Sequence, residues 1–334
     1  MAQENKKLGF ALVGLGSLST NQIAPALQKT KLCRLAAIVT GTPAKEKIWA
    51  DKYRIPQKNI YNYETFDQIA GNPEVDVVYV VLPNAMHSEY TIRAAKAGKH
   101  VLCEKPMEVS AEKCQAMIDA CKAAKVQLAI GYRCQFTPHH LEMMRLAREK
   151  TFGAVKLIEA SFGFRIGDPN QWRLKHALAG GGALMDVGIY ALQGARCVSG
   201  EEPVEISATE TKTDPMKFKE VDESISWSMR FPSGVLANCA TTYITNGMNH
   251  LWAGAESGWF QLDPAYSYNG LKGRTSKAEF DFPQPDQFAT EMDDFADCIL
   301  SGRKSKVSGE EGLRDIKILS AIYQSIQEGK TVKL

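Results

Sequence analysis

Short apolar runs alternate with longer helical patterns over the first 130 residues, and this alternation most narrowly limits the possible folds. Five runs have the length and composition of buried strands: Leu8 to Val13, Leu35 to Thr40, Val75 to Leu82, His100 to Cys103 and Val126 to Ile130. The segments between them, such as 87–96 and 110–125, have helix-forming compositions. Such alternation is typical of βαβ units around a parallel sheet. The sequence therefore predicts a doubly wound α/β domain over residues 1–130.

Beyond residue 130 the pattern changes, because strand candidates follow one another with few helices between them. The candidates are Val155 to Phe162, Val204 to Lys212, Ser224 to Phe231 and Val235 to Tyr243. The last two are joined by Pro232-Ser233-Gly234 and alternate apolar with polar residues, which predicts an antiparallel hairpin. Two helices follow, over 288–299 and 313–326. We expect a second α/β domain over 131–334 with a large, mostly antiparallel open sheet, and a final helix able to return to the first domain.

Composition excludes several classes of protein. The 40 basic and 38 acidic residues give a net charge of +2 and are mixed along the chain, so there is no basic stripe for nucleic acid. No stretch approaches the roughly 20 apolar residues of a membrane span. The polar segment Met1 to Lys7 runs directly into the first strand without a leader-like apolar region, and we expect a cytoplasmic protein.

Metal ligands and disulfides are not predicted. The eight cysteines form no C-x-x-C pair and no regular framework, and we expect all of them to be reduced. The only histidine pair, His139-His140, stands alone after Pro138 and is interpreted as two surface residues at the start of a helix.

A glycine-rich turn follows the first strand and predicts a dinucleotide site. Gly14 permits a tight turn, Gly16 lets the backbone approach a pyrophosphate, and the helix that begins near Ser19 directs its N-terminal amides at the anion. Ser17 and Leu18 lie between Gly16 and Ser19, and both are also predicted to contact the cofactor. Ser19 replaces the third glycine of the motif, so a plain turn between strand and helix is the competing interpretation.

The end of the second strand indicates which nicotinamide cofactor is bound. A carboxylate there would accept hydrogen bonds from a ribose 2′-hydroxyl, but the chain has none. It offers instead hydroxyls, backbone amides and an ammonium that suit a phosphate monoester, from Thr40, Gly41, Thr42 and Lys45. We predict NADP rather than NAD; the competing view is that Lys45 and Lys47 are solvated helix charges.

Lys105, Asp186 and Tyr190 are the predicted catalytic residues. Lys105 follows a strand at the edge of the sheet where ligands of open α/β sheets bind, and its ammonium suits an alkoxide-like oxygen. Asp186 and Tyr190 are four residues apart and share one face if their segment is helical. An ammonium near Tyr190 would favour the phenolate. Asp186 could bind a sugar hydroxyl, keep the lysine charged or share the proton, and an N-cap or a salt-bridge partner is an equally strong interpretation.

Several motifs, in order along nearly the whole chain, resemble the glucose-fructose oxidoreductase and inositol dehydrogenase family. They are Gly14-Leu-Gly16, Val81-Leu-Pro83-Asn84 with His87, Ala97 to Pro106, Gly131-Tyr-Arg133, Gln171 to Leu174, Gly180 to Tyr190 and Gly309 to Gly312. The pair Asp186-x-x-x-Tyr190 is similar to the glucose-fructose oxidoreductase branch. The resemblance implies further contacts to cofactor or substrate from Leu82, Pro83, Asn84, His87, Glu104, Arg133, Trp172, Arg173 and Tyr268. It also implies a cis peptide before Pro106 and a homodimer that pairs through the open sheet.

The resemblance therefore implies an NADP-dependent oxidoreductase that converts the C1 hydroxyl of a cyclic aldose, such as glucose or xylose, to the lactone. With a retained cofactor, a second sugar would then be reduced to an alditol. Two alternatives stay open: an NADP-dependent dehydrogenase for a sugar, polyol or trans-dihydrodiol with an exchangeable cofactor, and a non-catalytic NADPH-binding regulator.

Overall fold

The computed structural model describes residues 7–334, so the polar stretch 1–6 lies outside the described residues. The described chain divides into two compact units, one of residues up to 133 with 285–313, the other of 134–284 with 314–334. Among residues 7–334, no helix is both long enough and apolar enough to cross a membrane.

The first unit contains a six-stranded parallel sheet, as the alternating pattern predicts. Its strands are β1 (Leu8–Val13), β2 (Cys33–Val39), β3 (Ile60–Tyr61), β4 (Val77–Val80), β5 (His100–Glu104) and β6 (Leu128–Gly131). They lie in the order β3-β2-β1-β4-β5-β6, the strand order of a Rossmann sheet, which reverses beside β1. Ligands of such sheets bind at that reversal, outside the carboxyl ends of the strands.

Helices connect these strands. They are α1 (Ala24–Leu27), which continues a π-helical turn at Ser19–Ile23, α2 (Pro43–Tyr53), α3 (His87–Lys96) and α4 (Ala111–Ala123). Helix α4 is capped by Ser110, whose side chain accepts a hydrogen bond from the Lys113 amide at 3.3 Å. The carboxyl ends of β1, β2, β4 and β5 consequently carry the predicted cofactor residues.

The second unit is built on a nine-stranded sheet. Its strands are β7 (Val155–Gly163), β8 (Glu205–Thr211), β9 (Ser224–Arg230), β10 (Leu236–Thr242), β11 (Asn249–Ala255), β12 (Gly258–Leu262), β13 (Gly273–Thr275), β14 (Glu279–Phe280) and β15 (Val332–Lys333). The order is β14-β13-β12-β11-β7-β10-β9-β8-β15, and only β7 and β10 pair in parallel. The predicted hairpin is confirmed, because β9 and β10 pair antiparallel with Ile225 opposite Thr241.

The helices of the second half are α5 (Pro138–Arg148), α6 (His176–Ala179), α7 (Ile189–Ser199), α8 (Gln287–Ser301) and α9 (Gly309–Glu328). Helix α8 belongs to the first unit, whereas the predicted domain boundary placed everything after residue 130 in the second. Helix α8 is joined to the first unit by hydrogen bonds: the Asp293 carboxylate accepts from the Lys31 and Leu32 amides, just before β2. Helix α9 begins in the first unit and continues in the second.

The histidine pair was interpreted wrongly from the sequence. His139 and His140 lie at the start of α5, as expected, but both are buried rather than at the surface. The His140 ring contacts the hydroxyl of Thr137 at 2.7 Å, and His139 lies beside the backbone amide of Phe282. Within the described part of the chain, no group of three or more His, Cys, Asp or Glu is arranged to hold a metal ion. All eight cysteines are free thiols.

Candidate active site

The turn after β1 can be made only by glycine at position 14. Gly14 has a φ of +89°, and a Cβ there would lie 2.3 Å from the carbonyl oxygen of Val81. The left-handed conformation costs other residues about 1–2 kcal/mol even before such a clash. The tight contact brings the ends of β1 and β4 together at the point where the sheet order reverses.

Ser19 performs a local task that explains the missing third glycine. Its side chain is buried and its hydroxyl donates to the Gly14 carbonyl at 2.5 Å, which closes the turn onto the first helix. Gly16 is exposed, and a Cβ placed there would meet no atom within 4 Å. Ser17 is exposed and Leu18 half-buried at the helix start. The space over Gly16 therefore fits the close approach of a pyrophosphate to the backbone.

Lys45 lies against the same turn. Its ammonium donates to the Leu15 carbonyl at 2.8 Å, which brings the start of α2 and the turn after β1 together. Thr40 is buried and accepts a hydrogen bond from the Thr42 amide, while Gly41 and Thr42 are exposed. Lys45 is thus more than the solvated helix charge of the competing interpretation, whereas Lys47 is exposed as that interpretation expects. Hydroxyls and a cation without a carboxylate fit a 2′-phosphate.

His87 fastens two strand ends to each other. Its ring is buried, with Nδ1 2.9 Å from the Pro106 carbonyl and Nε2 2.9 Å from the Leu82 carbonyl. Burial lowers the pKa of this imidazole. Because both ring nitrogens face backbone carbonyls, His87 has a positioning role here, and the predicted cofactor contact by His87 stays a prediction. Beside it, Leu82 and Asn84 are buried and Pro83 is half-buried at the end of β4.

Lys105 is half-buried and follows β5 directly, and its peptide bond to Pro106 is cis, as the resemblance implied. The preceding residue, Glu104, is buried and accepts a hydrogen bond from the Tyr79 hydroxyl at 2.7 Å. Burial raises the pKa of the Glu104 carboxyl, against the opposing charge of Lys105. The strand end that carries Lys105 is therefore fixed from beneath by a buried polar contact.

A second buried carboxyl lies near Glu104, and sequence reasoning did not find it. Glu291 on α8 is 1% exposed, and neither carboxyl oxygen has a hydrogen-bond partner among the described residues. Burial and the nearby Glu104 carboxyl raise its pKa well above the usual value. Arg133, a predicted site residue, is buried in the same region and its guanidinium donates to the Gln287 side chain. The only sequence signal was a glutamate on the apolar face of a helix.

Asp186 and Tyr190 share a face of one continuous helix. Leu184–Gly188 forms a π-helical turn that leads into α7, and π-helical turns occur often at functional sites. Between Gly181 and Tyr190, every residue is buried except Asp186 and Tyr190, which are half-buried. The segment therefore presents these two side chains together on its accessible side.

Two neighbours orient the Asp186 carboxylate. Arg173 Nε donates to Oδ2 at 3.0 Å, and the hydroxyl of Tyr243 donates to the same oxygen at 2.9 Å. The Asp186 charge raises the pKa of Arg173, and burial raises the pKa of Tyr243 well above its usual value, so Tyr243 remains a donor. The salt-bridge interpretation of Asp186 is thus realised. Tyr243 was missed, although its place at the end of a predicted strand was a signal.

Aromatic rings surround the same face. The Tyr190 ring meets Phe162 edge-on with centroids 5.5 Å apart and lies 5.8 Å from Tyr266. The Arg173 guanidinium covers the Trp172 ring at 4.6 Å, and Tyr268 is 42% exposed. A carboxylate framed by aromatic rings is suited to a polyhydroxylated ligand with apolar C–H faces.

The predicted residues fall into two groups. The first unit contains the predicted residues from Gly14 to Lys45 and from Leu82 to His87, with Glu104, Lys105 and Arg133. The second unit contains Trp172, Arg173, Asp186, Tyr190 and Tyr268. Within the first unit the glycine turn, Lys45 and the ends of β4 and β5 occupy one edge of the sheet. The pairing of Lys105 with Tyr190 stays a prediction.

Comparison with known proteins identifies the family. Residues 8–132 match the model for an oxidoreductase family with an NAD-binding Rossmann fold, and residues 140–261 match the GFO/IDH/MocA C-terminal domain. A D-xylose 1-dehydrogenase (NADP(+)) from Haloarcula marismortui is 31% identical over 97% of this chain and 92% of its own. A trans-1,2-dihydrobenzene-1,2-diol dehydrogenase from Danio rerio is 30% identical over 81% of each chain.

Among solved structures, an aldose-aldose oxidoreductase from Caulobacter crescentus, crystallised with glycerol, is 46% identical. The match covers 98% of this chain and all of the other, with a TM-score of 0.96. The predicted fold class and the resemblance drawn from the motifs are both confirmed. This chain belongs to the GFO/IDH/MocA family of oxidoreductases.

Proposed function

We propose that this protein is an NADP-dependent aldose oxidoreductase that oxidises the C1 hydroxyl of a cyclic aldose, such as glucose or xylose, to the lactone. The observation that carries the proposal is the Asp186 carboxylate, held by Arg173 and Tyr243 beside Tyr190. The similarity to an aldose-aldose oxidoreductase and to an NADP(+) D-xylose 1-dehydrogenase supports the same substrate class.

In this function, each residue has a distinct task. A bound NADP would supply the acceptor for the hydride that leaves C1. The C1 hydroxyl loses its proton at the same time, and Tyr190 takes that proton, with Asp186 hydrogen-bonded to a neighbouring sugar hydroxyl. Lys105, at the end of β5, supplies an ammonium suited to an alkoxide-like oxygen, and its pairing with Tyr190 is part of the proposal. Arg173 and Tyr243 hold the Asp186 carboxylate in one orientation.

The cofactor is held by the first unit. The amides near Gly16 and the start of the following helix would hold the pyrophosphate of NADP. Thr40, Gly41, Thr42 and Lys45 would hold its 2′-phosphate, and the Lys45 ammonium already contacts the turn after β1. Leu82, Pro83 and Asn84 frame the nicotinamide end.

A second candidate function is an NADP-dependent sugar dehydrogenase. In that case the cofactor exchanges after each turnover and no second sugar is reduced. This candidate is favoured by the relative named as a D-xylose 1-dehydrogenase. The candidates differ in what happens to NADPH, which stays in the protein for the reduction of a second sugar in one case and leaves in the other.

The deciding experiment is the absorbance near 340 nm of freshly purified protein without added cofactor. A rise with glucose or xylose and a fall with a second sugar support a retained cofactor and an aldose-to-aldose cycle. If the signal requires added NADP and free NADPH then accumulates, the dehydrogenase is correct. The absence of a signal across a sugar panel with NADP would refute the aldose assignment.

Variants test the roles. Lys105→Ala and Tyr190→Phe should lower turnover at least about a hundredfold, the lower range for general acid–base catalysis, with NADP affinity nearly unchanged. Lys47→Gln is the control, because it removes a charge from an exposed lysine on α2 that has no proposed role in catalysis. Unchanged turnover in both active-site variants would remove Lys105 and Tyr190 from the mechanism.

We also propose that the protein is a cytoplasmic homodimer that pairs through the open face of the nine-stranded sheet. On β10, Leu236 and Asn238 are exposed and alternate with buried Ala237 and Cys239, so one face carries an exposed leucine. Light scattering after gel filtration measures the mass. Leu236→Glu should shift a dimer to monomers, and a monomeric wild type would refute the proposal.

A further inference from the structure

One buried side chain receives the backbone amides that begin the Asp186 helix. Asp222 Oδ1 accepts from the Gly182 amide at 2.6 Å, Oδ2 accepts from the Leu184 amide at 2.8 Å, and the Asp222 carbonyl oxygen accepts from the Ala183 amide at 3.4 Å. The first intrahelical hydrogen bond follows at once, from the Asp186 amide to the Gly182 carbonyl. Asp222 therefore satisfies three consecutive amides that helix geometry leaves without partners.

A tyrosine from the final helix completes the arrangement. The hydroxyl of Tyr323 on α9 donates to Asp222 Oδ1 at 2.6 Å. Burial raises the pKa of this phenol well above its usual value, so it remains a donor. Asp222 is 4% exposed. Each of its carboxylate oxygens accepts a hydrogen bond from the start of the helix, and Oδ1 accepts a second one from Tyr323 on α9.

Close packing at this point explains two of the three consecutive glycines in the sequence. A Cβ on Gly182 would lie 2.0 Å from the Asp222 carbonyl oxygen, and a Cβ on Gly181 would lie 2.1 Å from the Tyr323 hydroxyl. Neither contact is tolerable for a larger residue. Gly181 and Gly182 are therefore required by the approach of Asp222 and Tyr323.

We infer that Asp222, held by Tyr323, is a positioning residue for the oxidation reaction: it anchors the start of the helix that carries Asp186 and Tyr190. This inference rests on the proposed function of those two residues. Asp186 lies two residues after the last amide that Asp222 holds, in a π-helical turn whose geometry depends on where the helix starts. A negative carboxylate at a helix N-terminus is also favoured by the helix dipole.

Conservative variants distinguish anchoring of the helix that carries Asp186 and Tyr190 from a general contribution to the stability of the fold. An ionised carboxylate accepts with both oxygens, whereas asparagine has one acceptor and one donor, so Asp222→Asn sets an N–H group against a backbone amide. Tyr323→Phe removes only the hydroxyl. The control is Glu223→Gln: this neighbouring carboxylate is also buried, but it accepts from Thr213 and Asp214 in a loop.

We expect Asp222→Asn to lower kcat for aldose oxidation by about tenfold or more, the effect of one lost hydrogen bond to a charged group, and Tyr323→Phe by less. NADP affinity should be unchanged in both, and Glu223→Gln should retain kcat at an equal loss of Tm. An equal fall of kcat in Glu223→Gln, or a kcat within twofold of wild type in Asp222→Asn, would overturn the inference. If Asp222→Asn does not fold, the same criteria apply to Tyr323→Phe.

Hydrogen exchange provides a readout that needs no substrate. Asp222→Asn should exchange faster in the peptide over residues 182–190 than wild type, with the peptide over 213–220 unchanged, and Glu223→Gln should give the reverse. Unchanged exchange over 182–190 would refute the anchoring even in an active enzyme. If wild type oxidises no aldose but the exchange result holds, the proposed function fails and the anchoring stands.

Discussion

Replacing Glu291 by glutamine should change how stability depends on pH. The side chain is buried on α8 without a hydrogen-bond partner for either oxygen among the described residues, and its pKa is raised well above the usual value, chiefly by burial. Glutamine has the same shape and no charge, so Glu291→Gln mimics the protonated acid. The variant therefore removes a titration while it keeps the packing.

The sign follows from proton linkage. An unfolded glutamate titrates near a pKa of about 4.3. Above that pH the folded protein binds more protons than the unfolded one, until the folded pKa is reached, so stability falls as pH rises. One such carboxyl contributes about 1.4 kcal/mol per pH unit until the folded pKa is reached. Glu291→Gln should match wild type at pH 4 and exceed it increasingly toward neutral pH.

Urea unfolding, followed by tryptophan fluorescence at half-unit steps from pH 4 to 8, measures this difference. Glu310→Gln is the control of opposite sign, because the Ser308 hydroxyl lowers the pKa of the Glu310 carboxyl. That variant should be less stable than wild type at neutral pH, and the difference should begin to shrink toward pH 4. Parallel stability profiles for wild type and Glu291→Gln between pH 5 and 7 would show that the Glu291 carboxyl is ionised in the folded protein and refute the reasoning.

Three further variants test the site. Lys45→Gln should raise the KM for NADP by about tenfold or more, the effect of one charge-assisted hydrogen bond, and leave the weaker use of NAD unchanged; equal effects on both cofactors would place the 2′-phosphate elsewhere. Tyr243→Phe removes the 2.9 Å hydrogen bond to Asp186 and should lower kcat about tenfold at unchanged NADP affinity, measured by steady-state kinetics. Gly14→Ala forces a Cβ to within 2.3 Å of Val81, so calorimetry should show a lower Tm and a loss of cofactor binding; full binding would contradict the turn assignment.

The sequence predicted the elements that have strong periodicity. The strand Leu8–Val13 and the helix His87–Lys96 have the predicted limits, because buried parallel strands are continuously apolar and their boundaries are abrupt. The strands Asn249–Ala255 and Gly258–Leu262 were not predicted, since His250, Gly254 and Gln261 interrupt the alternation. Asn249–Ala255 takes its place in the sheet by pairing with β7, and Gly258–Leu262 by pairing with Asn249–Ala255 and β13; a local pattern does not contain these pairings.

The candidate site was predictable where a motif fixes the backbone and unpredictable where partners come from distant segments. Gly14 and Lys105 follow from strand ends and turn chemistry. Tyr243, Asp222 and Glu291 acquire their contacts through tertiary packing, and no spacing in the sequence links them to the residues that they meet. The histidine pair shows the converse error, because a polar pair after a proline resembles a surface helix start even when the fold buries it.

The return of α8 to the first unit affects how the protein is made. The bond between the Lys31 amide and Asp293 joins residues separated by 262 positions. During synthesis, α8 can therefore pack against the Rossmann sheet only after all the long strands of the second unit have left the ribosome. A fragment that ends at residue 133 would leave the start of β2 uncovered and lack Glu291 and Gln287. The cofactor-binding unit of this enzyme thus needs residues 285–313 as well as those up to 133, and a single cut at residue 133 does not release it intact.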